Sequence, residues 1–182
     1  MKKLLLIIIL IMAIFQMVVL ATTIDIGNVA IDCDEYLVAA TTVAKDNPAN
    51  ESGTITSIEI WAVNGYNLIN CEVATFSASG NNLTTRDTVT LGTVTSGSKQ
   101  IIILDSESNP ISLAVQAGDY IGIYFSAGRL EFDRETGTAG VWTLNGDQIP
   151  CDNTTFAPYA PRYLSLYGTG GIDNAIFFGI NF

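Results

Sequence analysis

Apolar and polar residues alternate with a period of two along much of this chain, and turn-forming residues separate the alternating segments. Apolar side chains occupy every second position in Ile58–Ala62, Ile121–Phe125 and Leu130–Asp133. This pattern places successive side chains on opposite faces of a β-strand. Further predicted strands are Thr23–Ile31, Tyr36–Val43, Ile69–Ser77, Thr85–Leu91, Gln100–Leu104, Ile111–Val115, Val141–Leu144, Tyr163–Tyr167 and Ala175–Phe182.

Turn signals lie between these segments at a spacing that is typical of all-β domains. Examples are Asn64-Gly65, Asn109-Pro110 and Asn145-Gly146. Short strands at intervals of roughly 8–12 residues predict a sandwich or barrel. A parallel sheet would need long helical crossovers, and the sequence shows no segment of that kind. We therefore expect residues 22–182 to form a single antiparallel β-sandwich domain.

One local pattern resembles a known group of domains. Leu113–Tyr124 has the sequence LAVQAGDYIGIY. It is similar to the strand–turn–strand of jelly-roll domains, such as those of carbohydrate-binding modules and C1q/TNF-like proteins. The resemblance implies a jelly-roll topology and transfers no binding residue. On physical grounds, the pair Gly118-Asp119 indicates a tight turn between two core strands.

The N-terminal segment has the layout of a secretory signal peptide. Lys2 and Lys3 precede an 18-residue run from Leu4 to Ala21 in which Gln16 is the clearly polar residue. The run ends in Val19-Leu20-Ala21, with small or branched residues three and one positions before Thr22, as at a cleavage site. A retained signal-anchor is the alternative, because a spanning helix needs roughly 17–25 residues. Either way we expect a secreted or cell-surface domain, which contacts a membrane only through this segment and only if the segment is not cleaved.

The charge balance narrows the range of partners. The chain has 18 acidic and 8 basic residues, and its net charge of −10 becomes −12 when the leader lysines are removed. Nucleic acids and anionic lipid surfaces attract clustered Lys and Arg, which this composition lacks. We therefore expect no nucleic-acid partner.

The chain contains no histidine, which excludes Ser-His-Asp and Cys-His catalysis and imidazole zinc sites. Glu131 and Asp133 lie two residues apart and share one face of a predicted strand. Paired carboxylates can cleave glycosidic bonds, although on a sandwich strand they more commonly form a solvated face. We expect a non-enzymatic protein, with a carboxylate-based glycoside hydrolase or lyase as the weaker alternative.

Three cysteines can form at most one internal disulfide. Cys33 and Cys151 both lie beside turn-forming residues, and in an oxidising compartment we favour a bond between them. The two pairings that involve Cys71 stay open, although Cys71 lies inside a predicted strand and fits a small buried side chain.

Outward-facing aromatic residues are the candidate ligand contacts. If Ile121 and Ile123 face the core, Tyr120 and Tyr124 face outward, and Trp61 is outward by the same argument. Such rings can stack on sugars, with Glu131 and Asp133 as polar contacts. Loops that cover these side chains are the alternative. Trp142 is expected in core or loop packing.

Two acidic clusters are candidate calcium ligands, and calcium is the only cofactor that the sequence suggests. Asp32, Asp34 and Glu35 form the first cluster. Asp105 and Glu107 alternate with Asn109 in the second. Neither has the full EF-hand spacing, and solvated turns are the alternative interpretation.

The C-terminus ends in Ile176, Phe178, Ile180 and Phe182, one apolar face of a predicted strand that follows a glycine-rich joint at Gly168–Gly171. This strand belongs either to its own sheet or to a neighbouring subunit. Two functions follow. The first is binding or adhesion to a glycan or a protein surface, and the second is a structural subunit that assembles with copies of itself.

Overall fold

The computed structural model describes residues 23–172, which form 15 β-strands and no helix, and hence no helix that could cross a membrane. The prediction of an all-β fold is confirmed. The predicted leader and the predicted strand Ala175–Phe182 lie outside the described residues. The strands are β1 (Thr23–Gly27), β2 (Glu35–Leu37), β3 (Thr41–Ala44), β4 (Gly53–Trp61), β5 (Leu68–Ser79), β6 (Asn82–Val94), β7 (Lys99–Ile102), β8 (Leu113–Val115), β9 (Tyr120–Tyr124), β10 (Leu130–Asp133), β11 (Val141–Leu144), β12 (Thr154–Thr155), β13 (Ala157–Tyr159), β14 (Tyr163–Leu164) and β15 (Leu166–Gly171).

The strands form three sheets in which neighbours run antiparallel. The five-stranded sheet has the order β1-β15-β4-β7, with β8 also paired to β4. The seven-stranded sheet has the order β12-β6-β5-β9-β3-β11-β13, and a small sheet has the order β14-β10-β2. The two larger sheets contribute the alternate apolar residues that the sequence pattern identified to a shared main core, as in a β-sandwich. Its members include Ile24, Ile26, Ile58, Ile60, Val73, Ile121, Ile123 and Val141.

Strands β7 and β8 are two parts of one line along β4. Ile102 pairs with Ile58, and Leu113 pairs with Ile55, which lies three residues closer to the start of β4. The intervening residues 103–112 leave the sheet as a loop. Ser106 anchors this loop to the other large sheet, because its N–H donates to the carbonyl of Thr90 at 2.9 Å.

The seven-stranded sheet curls around a second core. Its two edge strands, β12 and β13, are separated in sequence by Phe156 alone, so the edges approach to about 7 Å. Phe156 is 1% exposed and lies in this second core. The other buried members come from the sheet face turned away from the main core and from the segment before β12: Val43, Ala74, Phe76, Leu83, Trp142 and Ile149.

Two sequence predictions need correction. The predicted strand Tyr36–Val43 divides into β2 of the small sheet and β3 of the seven-stranded sheet. The predicted flexible joint Gly168–Gly171 is part of β15, which pairs with both β1 and β4. Glycine is needed at position 168 for close packing, because a Cβ there would lie 2.9 Å from Cγ2 of Ile26.

Candidate functional site

The structure brings Trp61 next to Glu131, which are 70 positions apart in the sequence. Ala62 forms a β-bridge with Leu130, and both of these side chains are fully buried in the main core. Alternation therefore turns Trp61 and Glu131 to the opposite face. Their backbones also share a partner, Ser165. The N–H of Trp61 donates to the carbonyl of Ser165 at 3.4 Å. The N–H of Ser165 donates in turn to the carbonyl of Glu131 at 3.2 Å.

Beside this pair, two tyrosines hold an arginine. The guanidinium of Arg129 lies 4.1 Å from the ring centre of Tyr36 and 3.9 Å from that of Tyr66. The tyrosines are 45% and 43% exposed, and Tyr36 is the register partner of Glu131. No carboxylate within residues 23–172 forms an ion pair with Arg129. We call Tyr36, Trp61, Tyr66 and Arg129 the aromatic–arginine surface.

Sequence reasoning missed three of these four residues. Tyr36, Tyr66 and Arg129 come from β2, the loop after β4 and the residue before β10. Each one looks like an ordinary polar position in its own segment. The signal that unites them is the bridge between Ala62 and Leu130, which no local pattern reveals.

Beneath this surface, Glu131 lies in a group of acidic residues. It is 4% exposed and its carboxylate accepts the backbone N–H of Cys33. Burial raises the pKa of Glu131, and the negative charges of Asp32 and Asp34 raise this pKa further. The segment that carries these residues is fixed above Glu131, since Ile31 N–H donates to the Ser165 hydroxyl at 2.7 Å. The first candidate calcium cluster, with Asp32 and Asp34, therefore lies beside Glu131 of the candidate carboxylate pair.

The thiol of Cys33 belongs to the same group. Burial, then the charges of Glu131 and Asp133, raise its pKa to about 12, against a smaller opposite effect of a hydrogen bond with Ser165. The thiol is therefore protonated at neutral pH, whereas nucleophilic attack needs the thiolate.

The predicted disulfide between Cys33 and Cys151 is not formed in the structure, where Cys33, Cys71 and Cys151 are free thiols. Cys33 lies at the small sheet, whereas Sγ of Cys151 is 3.5 Å from the carbonyl oxygen of Leu83 in the seven-stranded sheet. The two turns that carry these cysteines are attached to different sheets. Cys71 is fully buried in the main core, as its position in a strand predicted.

Tyr120 and Tyr124 do not contribute to the aromatic–arginine surface. Both are half-buried and pack against the second core. The ring of Tyr120 lies edge-on to Trp142, with 4.9 Å between the ring centres. They do face away from the main core, but the curled sheet covers that face.

The second predicted calcium cluster acts as a turn. The carboxylate of Asp105 accepts the backbone N–H groups of Asn109 at 2.8 Å and Glu107 at 2.9 Å. The hydrogen bond from Asn109 is the main cause of the lowered pKa of Asp105. In the first cluster, Glu35 pairs instead with Arg134 at 3.0 Å. Within residues 23–172, no three His, Cys, Asp or Glu side chains are arranged to hold a metal ion.

Two open concavities lie elsewhere on the surface. One, of about 460 Å³, lies between β6 and the 103–112 loop, and Thr88, Asp105 and Glu107 contribute to its lining. The other, of about 490 Å³, is lined by residues that include Ser52, Arg86 and Ile172. Neither of these two concavities is lined by an aromatic side chain, so neither offers a ring for stacking.

Comparisons with models of known protein families, with curated protein sequences and with solved structures found no match in any of the three. The geometry of this chain is therefore the basis for its functional assignment.

Proposed function

We propose that this protein is a non-enzymatic, secreted or cell-surface binding domain that contacts a glycan through the aromatic–arginine surface. The observation that carries the proposal is the guanidinium of Arg129 held between the exposed rings of Tyr36 and Tyr66. The N-terminal leader and a jelly-roll topology are part of the same proposal.

The stack supports ligand binding because it fixes a group that would otherwise be mobile. An arginine side chain loses up to about 2 kcal/mol of rotamer entropy on ordering, and here the two rings have already ordered it. Tyrosine and arginine are also enriched among the residues that dominate binding energies. Trp61 beside them adds a further half-buried aromatic ring.

The charges around the surface favour a neutral glycan. Glu131 lies beneath the surface and Asp32 and Asp34 lie near it, so a polyanionic ligand would meet repulsion. Sugar hydroxyl oxygens can accept the N–H groups of Arg129, and the apolar faces of sugar rings can pack on the aromatic rings. Both kinds of contact are available on one side of the domain.

The test is a glycan array that contains neutral and acidic oligosaccharides, probed with the exported full-length protein. We expect binding to at least one neutral glycan, a loss of at least tenfold in affinity for Arg129→Gln and for Tyr66→Ala, and no loss for Tyr159→Ala. Tyr159 is the matched control because its ring is 46% exposed and lies 5.1 Å from the guanidinium of Arg162, in a contact on β13 that is not part of the aromatic–arginine surface. Equal losses in all three variants, or no binding to neutral glycans, would overturn the proposal.

A second candidate is a structural subunit that assembles with copies of itself. The specific observation in its favour is the edge strand β7, where the apolar side chain of Ile101 is 62% exposed. The two candidate functions depend on different residues, Arg129 with its two tyrosines and Ile101 on β7, so variants can test them separately.

A further inference from the structure

Strand β7 is an open sheet edge on which Ile101 is the exposed aliphatic residue. It is the last strand of the five-stranded sheet and pairs only with β4 among the described strands. Ile101 is 62% exposed, and Ile103 and Leu104, in the loop that follows β7, are 58% and 45% exposed. An edge strand of this kind has unpaired backbone groups and is a template for another strand.

The opposite edge of the same sheet is closed. In β1, the N–H of Asp25 donates to the side chain of Asn50 at 3.0 Å, and the carbonyl of Gly27 accepts from Asn47 at 3.0 Å. These contacts occupy backbone groups that a further strand would need. β1 therefore cannot accept a strand without losing them.

The edge of β8, which continues the line of β7, is also closed. The N–H of Ala114 donates to the carboxylate of Asp87 at 2.7 Å, and its carbonyl accepts the hydroxyl of Thr75 at 2.7 Å. Within residues 23–172, β7 has no comparable capping bonds to its main chain. The open part of this edge is therefore limited to β7.

We infer that β7 accepts the C-terminal segment 175–182 of a second copy of this chain, an inference that rests on the second candidate function. Ile176, Phe178, Ile180 and Phe182 recur at every second position and would form one apolar face of an added strand. On β7, Ile101 presents an exposed apolar side chain to such a face, and Ile103 follows two residues later at the start of the 103–112 loop. Asp173 is the only charged residue after Ile172, so contact between two acidic chains adds little repulsion there.

Geometry favours a second copy over the chain's own C-terminus. Gly171 pairs with Thr54 near the start of β4. Ile101 pairs with Glu59, which lies five residues or about 17 Å closer to the end of β4. β15 runs away from β7, so the same chain would have to reverse and pass the closed edge of β8. A neighbouring chain needs no reversal. Donation in one direction gives a head-to-tail contact, which builds rings or filaments.

The test is the assembly state of the exported full-length chain, measured by light scattering across a range of concentrations. Wild-type protein should assemble. The double variant Ile101→Lys/Ile103→Lys and the double variant Phe178→Lys/Ile180→Lys should each be monomeric. Val38→Lys is the matched control, because Val38 is 61% exposed but lies just after β2, and it should assemble like wild type.

Mixing the two double variants provides the decisive measurement. The Ile101→Lys/Ile103→Lys variant keeps an intact donor segment, and the Phe178→Lys/Ile180→Lys variant keeps an intact acceptor strand. The mixture should therefore form a one-to-one dimer and nothing larger. Absence of this dimer would overturn strand donation. Assembly that survives Ile101→Lys/Ile103→Lys would leave the subunit function standing but reject β7 as the acceptor. A wild type that is monomeric at all concentrations would overturn both, and lower melting temperatures in both variants would then indicate docking within one chain.

Discussion

The ring of Trp142 meets the ring of Tyr120 at 87° with 4.9 Å between their centres, on the sheet face that points away from the main core. Edge-to-face contacts of this kind stabilise aromatic pairs by about 0.5–1.5 kcal/mol beyond the area that they bury. Trp142 is 5% exposed because the sheet curls around it and Phe156 closes the curl. The domain therefore has two cores that share one sheet, and substitutions in either core should change its stability.

The second core should be intolerant of added volume at Gly122. A Cβ at this position would lie 2.6 Å from Cγ2 of Val43 and 2.8 Å from Cε2 of Phe76. We expect Gly122→Ala to lower the free energy of unfolding by about 1–3 kcal/mol through overpacking. Gly171→Ala is the control, since a Cβ there meets no atom of residues 23–172 within 4 Å, apart from its chain neighbours. Urea unfolding measures both, and equal stabilities would contradict the tight packing described here.

The turn before β9 should depend on the carboxylate of Asp119, which is 3% exposed. It forms an ion pair with Arg86 and accepts the backbone N–H of Gln116 at 2.8 Å. Asp119→Ala leaves these donors without an acceptor, and we expect a loss of about 1–3 kcal/mol. Asp119→Asn retains one acceptor oxygen and should lose less. Thermal unfolding of the two variants tests this order, and the reverse order would refute the assigned role.

Cys33 should react slowly with alkylating reagents. With its pKa raised to about 12, a thiolate fraction on the order of 10⁻⁴ is expected at pH 8. In a Cys151→Ser background, we expect iodoacetamide to modify Cys33 at least roughly a hundredfold more slowly than an unperturbed thiol. The rate should rise about tenfold per pH unit between pH 8 and 10. Modification of the folded protein at the rate of free cysteine would show that the thiol is not shielded.

Glu131 should make the stability of the domain depend on pH. Folding raises its pKa above the unfolded value near 4.5, so the folded state binds this proton more tightly. Its contribution to stability is therefore complete below pH 4.5 and is lost as the pH rises through the folded pKa. Glu131→Gln should stabilise the protein relative to wild type at pH 7 and lose this advantage below pH 4.5. Glu35→Gln, at an exposed ion pair, is the control for unfolding at both pH values.

The alternation of apolar residues was sufficient to predict the all-β class and the main core. Ile58, Ile60, Ile121 and Ile123 are all fully buried, as their spacing indicated. Alternation reports which side chains share a face, because that property depends on the local backbone alone.

What covers the other face could not be predicted from the same pattern. Tyr120 is outward with respect to the main core, yet Phe156, 36 positions later, closes a second core over that side. Arg129 likewise acquires its role from Tyr36 and Tyr66, through a bridge between strands 68 positions apart. Contacts of this range depend on strand order, which composition and periodicity do not encode.

Phe156 also has a consequence for how the seven-stranded sheet comes apart. An open sheet frays from its two outer strands, since each is held on one side only. Here the two outer strands, β12 and β13, are consecutive in the chain, so the covalent backbone at Phe156 joins the two edges of the hydrogen-bonded sheet. Neither end can peel away without pulling on the other, and the amides of this sheet should exchange with solvent as one cooperative unit.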